Sequence, residues 1–250
     1  MMAEENIKRF RLIACEIFYR EVNYCIAHAP HVVDVIFMPK ALHDIGKEKM
    51  MQRLQEEIDS TDKFFYDALL LGYGLCNHGT VGLHASLPMI IPRAHDCIAI
   101  LMGSAKTYKH YFDSHQGTYF LSCGWIERGL CCGNNPESVT SQLGISCNYE
   151  DYVKLYGEEN AAFLYETLGQ WTAHYCRYAY INNGLGNVNY YRGYARQKAR
   201  EQQWEYEEIP GSLCLFEELV SGCWDEERFL IIPPGKEIKP SYDEKIIKTE

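Results

Sequence analysis

The sequence predicts an α/β fold built on a mostly parallel, doubly wound, Rossmann-like sheet. Three observations lead there. Short runs rich in Leu, Ile and Val, such as Val32–Met38 and Ala68–Leu71, recur along the chain. Segments with apolar residues at helical spacing lie between them. Gly, Pro and Asn punctuate the boundaries. Strands buried on both faces read as near-continuous apolar runs, and the intervening amphipathic helices supply the covering layers.

Taken in order, the first strand is Arg11–Ala14, followed by a helix from Glu16 that stops before Pro30, with Ile17, Val22, Cys25 and Ile26 as its apolar face. Val32–Met38 is the second strand. A helix covers Lys47–Ser60, where Met50, Met51, Leu54 and Ile58 repeat at helical spacing. Ala68–Leu71 is the third strand and leads into the glycine-rich turn Gly72–Gly79. Met89–Ile91 is the fourth, stopped by Pro92. Asp96–Met102 reads as a short helix, Ser104 caps another, and Thr118–Leu121 is the fifth strand.

Gly129–Asn148 breaks this rhythm, and a long helix is expected over Glu150–Tyr175. The pattern then resumes as β-α-β-α-β: Tyr178–Ile181, Asn187–Gln203, Trp204–Ile209, Ser212–Val220 with Ser212 as cap, and Phe229–Ile232. The expected organisation is two α/β units joined by a long helix. Residues 1–128 form the first unit, 129–176 a linking excursion and helix, and 177–250 the second unit.

Composition narrows the function. The 250 residues are 47% hydrophobic and 23% charged, with a net charge of −10. An acidic surface argues against nucleic acid or an anionic membrane as partner. The first residues lack the apolar core of a secretory signal, and no apolar run is long enough to span a bilayer, so a cytoplasmic protein is expected. The 11 cysteines are odd in number and lack the spacing of a disulfide framework, so reduced thiols are expected. Cys25, Cys176, Cys214 and Cys223 fall in or beside helices and read as core. The adjacent Cys131 and Cys132 read as packing or redox-labile thiols. The tyrosines and tryptophans between Trp171 and Trp204 read as a helix-packing or homodimer surface.

In a parallel sheet the C-terminal strand ends share one edge, where ligands bind. Cys15 follows the first strand, His43 and Asp44 the second, Cys76 and His78 the third. Arg93, His95, Asp96 and Cys97 follow the fourth; Cys123, Trp125 and Glu127 follow the fifth. Thiolate and imidazole are favoured ligands of zinc, iron and iron–sulfur clusters. The expected metal ligands are Cys15, Cys76 and Cys97, with His43 as a fourth. The same residues also read as reduced, half-buried thiols in tight turns. Arg93 is expected to clamp an anionic group, and His95, Asp96 or Glu127 to handle protons, against a plain salt bridge fixing the turn. Gly72, Gly74, Asn77 and His78 form a loop with little side-chain bulk that would let a cofactor approach, although it lacks a full nucleotide fingerprint.

At these residues the sequence resembles domain-of-unknown-function family 1638. The segments that carry the resemblance are Leu12–Cys15, Leu42–Asp44, Leu71–Cys76, Ile91–Cys97, Gly117–Tyr119, Gly124–Glu127, Tyr156–Ala161 and Phe229–Gly235. The Gly129–Asn148 stretch departs from the pattern. The resemblance implies a setting of corrinoid-dependent methyltransferase systems, hence one-carbon or methylated-amine metabolism with a corrinoid protein as partner. The expected function is therefore a metal-thiolate enzyme, zinc preferred, acting on a small molecule by methyl or thiol transfer. The alternatives are an iron–sulfur enzyme on the same cysteines, a metal- or corrinoid-binding accessory protein, and a simple nucleotide-binding module.

Overall fold

A computed structural model describes residues 6–40, 42, 46–131, 153, 157–158 and 174–250. His43, Asp44, nearly all of the expected linking excursion and most of the expected long helix lie outside the described residues.

The central sheet grows from β1 (Arg9–Cys15), β2 (Val32–Met38), β3 (Ala68–Gly72) and β4 (Met89–Pro92). Alternation explains why both faces of these strands are apolar. Phe10, Leu12 and Ala14 of β1, Ala68 and Leu70 of β3, and Ile90 of β4 face one core. Ile13, Leu69, Leu71, Met89 and Ile91 face the other. The strand order is β2-β1-β3-β4-β8, with β8 (Phe229–Ile232) added at the edge. The first four strands run parallel and β8 runs antiparallel to β4. The coarse fold class therefore stands: mixed α/β with a mostly parallel central sheet.

Helices cover both faces. A short 3-10 turn, Glu16–Phe18, leads into α1 (Tyr19–Ala27), which buries Val22 and Cys25. It packs beside α7 (Cys214–Ser221), where Phe216 meets Phe18 edge-on at 4.9 Å. On the opposite face, α2 (Lys47–Asp59) buries Met50, Leu54 and Ile58, one residue per turn. After β4, α3 (Cys97–Leu101) starts on Asp96, whose carboxylate accepts from the Ile98 and Ala99 amides. The Ser104 hydroxyl likewise caps α4 (Ala105–Ser114) through the Thr107 amide.

A second, three-stranded parallel sheet has the order β5-β6-β7, from β5 (Thr118–Leu121), β6 (Arg177–Asn182) and β7 (Glu205–Pro210). Its Ala179, Ile181 and Ile209 enter the same core as Phe10, Leu12 and Ala14. Its other face, with Leu121 and Tyr180, is covered by α5 (Cys123–Cys131) and α6 (Val188–Gln202), which supply Ile126, Tyr191 and Ala195.

Two strands pair otherwise than expected. β5 leaves the first unit to pair with β6, and β8 returns from the C-terminal region to pair with β4. Local apolar pattern specifies a strand but not its partner, which is a long-range choice. The helix α5 was not anticipated, because Gly124 and Gly129 lower local helix propensity. A closing hairpin, β9 (Ile238–Pro240) with β10 (Ile247–Thr249), also carried no usable signal at three residues per strand. Leu213, not Ser212, occupies the N-cap of α7; the Ser212 hydroxyl still accepts from the Cys214 amide at 3.3 Å. Cys25 is core as expected, whereas Cys176 and Cys223 are exposed. The rings of Tyr119, Tyr175, Tyr178 and Trp204 pack on one another within the chain. Among the described residues no helix is long and apolar enough to cross a membrane.

Candidate thiol site

The strand order places β2 on one side of β1 and β3 on the other. Cys15 is the last residue of β1. The turn after β3 brings Tyr73 and Cys76, and Cys97 opens α3 after β4. Pro39 and Lys40 follow β2. These side chains line one cavity with Ile17 and Phe18 of the 3-10 turn, Leu42, Met50 of α2 and Trp125 of α5. The cavity volume is about 20 Å³, room for one water molecule or one ion.

Backbone geometry fixes the second thiol. Beyond the strands, the Leu75 amide bonds the Ala94 carbonyl at 2.8 Å and the Cys76 amide bonds the His95 carbonyl at 2.9 Å. The loops carrying Cys76 and Cys97 are thus stitched together. Cys76, Asn77 and His78 then all adopt left-handed φ angles of 45°, 53° and 64°. For side chains other than glycine this costs about 1–2 kcal/mol per residue, so it persists only where the surroundings impose it, and such strain gathers at functional sites. The fully buried Thr80 hydroxyl, donating to the Gly74 carbonyl at 3.1 Å, helps hold the turn.

Burial sets the state of the thiols. It pushes Cys15 up to about 11 and Cys76 up to about 12, and it raises Cys97 well above the ordinary thiol value. All three are neutral thiols at pH 7. As placed, no three His, Cys, Asp or Glu side chains among the described residues form a ready metal cage. Two hydrogen-bond donors at the cavity lack acceptors among the described residues. The Tyr73 hydroxyl lies beside the Cys15 thiol and the Trp125 indole N–H beside the Cys97 thiol, but neither meets the geometry of a full hydrogen bond.

The other expected site residues have different surroundings. Gly72 and Gly74 serve close packing: a Cβ would sit 2.7 Å from the Ala14 Cβ and 2.6 Å from the Ala94 carbonyl oxygen, respectively. Asn77 and His95 are exposed, and His78 is half-buried; none of them lines the cavity. Asp96 is occupied as the α3 cap. Arg93 turns away from the cavity. Its Nε donates to the Glu226 and Phe229 carbonyls at 2.8 and 3.1 Å, and its Nη1 to those of Lys245 and Ile247. It ties β8 and the closing hairpin to β4. Lys40 and Tyr73 join the cavity without having been singled out in the sequence, since neither is a chemically distinctive residue at its position. The strand-end signal had reached Trp125.

Glu127 belongs to a second polar cluster, at the C-terminal edge of the second sheet. Arg20 donates to its carboxylate from Nε and Nη2 at 2.7–3.0 Å, and Tyr191 adds its hydroxyl. Burial would raise this carboxyl, but the Arg20 and Tyr191 hydrogen bonds outweigh it and hold the group below the usual carboxylate range. Deeper in, Glu21 is 0% exposed. One of its oxygens accepts from the Cys123 thiol at 3.4 Å and from the Asn183 amide at 3.3 Å; the other has no partner among the described residues.

Burial raises the Glu21 pKa above that of a free carboxyl. A raised folded-state value contributes stability that is fully present below the unfolded pKa and is lost as pH rises through the folded one. Glu21→Gln is therefore expected to gain on the wild type as pH rises above the unfolded value, by up to about 1.4 kcal/mol per pH unit until the folded value is passed. Melting curves at pH 4 and pH 8 check this. An equal difference at both pH values contradicts it.

No curated protein and no solved structure matches the chain. A family profile described as protein of unknown function, DUF1638, matches residues 37–220. That span is more than half of the chain and takes in Cys76, Cys97 and the cavity walls from Pro39 to Trp125, while Cys15, Ile17 and Phe18 lie N-terminal to it. The chain belongs to the DUF1638 family.

Proposed function

We propose that Cys15, Cys76 and Cys97 bind one thiophilic metal ion, zinc by preference, and that the site catalyses methyl or thiol transfer on a small molecule. One observation carries the reading: three thiols from three separate strand ends line a single cavity of about 20 Å³. Binding would draw the three sulfurs inward from their present positions and release their protons. The size supports a single ion over an iron–sulfur cluster. It also supports a corrinoid carried on a separate partner protein over one bound here. The β2-β1-β3-β4 order supports reading this sheet as doubly wound, with its ligand crevice at Cys15.

Cys15, Cys76 and Cys97 would hold the ion, which would supply Lewis-acid activation of a substrate thiol or water. In methyl transfer the substrate thiol would attack a methyl carbon. The S–C bond forms as the bond from that carbon to its carrier breaks, the electron pair leaves with the carrier, and the thiol proton is released to solvent.

Equilibrium zinc binding to the wild type and to Cys15→Ser, Cys76→Ser and Cys97→Ser tests the ligand set. The expected result is about one zinc per wild-type chain. Each substitution should weaken binding by more than about a hundredfold, with Cys123→Ser unaffected. Full occupancy in both Cys76→Ser and Cys97→Ser would overturn the assignment.

A further inference from the structure

We propose that Tyr73 and Trp125 are positioning residues whose hydrogen bonds are aimed at sulfur, Tyr73 at Cys15 and Trp125 at Cys97, with Lys40 as the counter-charge of the site. This rests on the thiolate reading and deepens it.

Tyr73 is 3% exposed, and among the described residues its hydroxyl has no hydrogen-bond partner; nor has the buried indole N–H of Trp125. Buried donors are nearly always paired, so two orphans on one cavity require an account. Apart from the Tyr73 hydroxyl itself, the lining side chains among the described residues offer no oxygen acceptor: none is a carboxylate, amide, serine or threonine. The side-chain acceptors present are sulfur atoms. A neutral thiol is a poor acceptor, whereas a thiolate is a strong, charged one. Sulfur is therefore the acceptor that both donors have within reach. Charge balance agrees. Three thiolates and a divalent ion would leave one net negative charge, the nearby Glu16 and Asp96 carboxylates add to it, and the Lys40 ammonium, 4.9 Å over the Trp125 ring, is the cation placed to oppose it.

Two readouts test the pairing. The first needs no metal. Metal-free protein is treated with iodoacetamide at fixed pH, and each cysteine is followed by mass spectrometry. Tyr73→Phe, which removes one oxygen and keeps the ring, should slow labelling of Cys15 about tenfold and leave Cys97 within about twofold. Trp125→Phe should do the reverse. The second is cobalt(II) loading. Tyr73→Phe should move the sulfur-to-cobalt charge-transfer band to lower energy and weaken binding about tenfold. Equal effects on all three cysteines, or none, would overturn the pairing. Failure of the wild type to bind cobalt, with selective labelling intact, would sink the metal reading and leave the sulfur-directed donors standing. Tyr73→Phe alone decides the matter where Trp125→Phe loosens the packing.

Discussion

Gly124→Ala should lower stability by about 3 kcal/mol, or roughly 6–12 °C in melting temperature for a chain of this size. A Cβ at this position would lie 1.6 Å from the Ile17 carbonyl oxygen and 2.5 Å from its carbon. Both are backbone atoms, so no side-chain rotation relieves the clash. The whole of α5 must move away from the 3-10 turn. Alanine improves helix propensity by only about 1 kcal/mol over glycine, which is too little to offset the displacement. The consequence reaches the site, because Ile17 and Phe18 on one side of this contact and Trp125 on the other line the cavity. Thermal unfolding and zinc titration of the same variant should therefore both respond. A melting temperature within about 2 °C of the wild type would show that α5 is not held as described.

Zinc binding should tighten steeply as pH rises. Burial pushes Cys15 up to about 11 and Cys76 up to about 12, and it raises Cys97 well above its ordinary value. Near neutral pH each thiolate formed on binding therefore displaces a proton. The apparent affinity rises by up to about tenfold per pH unit for every proton displaced, so three ligands give up to about a thousandfold between pH 6.5 and 7.5. The sign follows from mass action: lower pH returns protons to sulfur and competes with the metal. Calorimetric titrations in buffers of different ionisation enthalpy count the protons directly. A binding constant independent of pH would mean that sulfur is not the ligand.

Much of the fold was legible because burial on both sides leaves a strong local mark. Ala68–Leu71 and Val32–Met38 could hardly be anything but strands, and Asp96 announced the start of α3 by its capping chemistry. Partnership was less legible. The apolar character of Thr118–Leu121 and Phe229–Ile232 is satisfied equally well in either sheet, and only the packed core decides between them. The helix α5 was hidden by Gly124, a residue chosen for its close approach to Ile17 and not for its helix propensity.

For the site, strand ends sufficed to bring Cys15, Cys76 and Cys97 to one cavity, since parallel strands must deliver their C-termini to a common edge. The polar residues beside them have local structural partners in the fold. Arg93, Asp96 and Glu127 all look reactive in sequence, but each is consumed by a local need: tying down carbonyls, capping a helix, or pairing with Arg20. Lys40 and Tyr73 left no comparable trace, because their proposed role is exercised through neighbouring sulfur atoms.

The central claim is that three sulfurs close on one ion. X-ray absorption at the zinc edge of the protein loaded with one equivalent of zinc tests it most directly. The account predicts three sulfur scatterers at about 2.3 Å with one lighter ligand at about 2.0–2.2 Å. A first shell made only of nitrogen and oxygen would contradict it, and would return Cys15, Cys76 and Cys97 to the status of buried thiols.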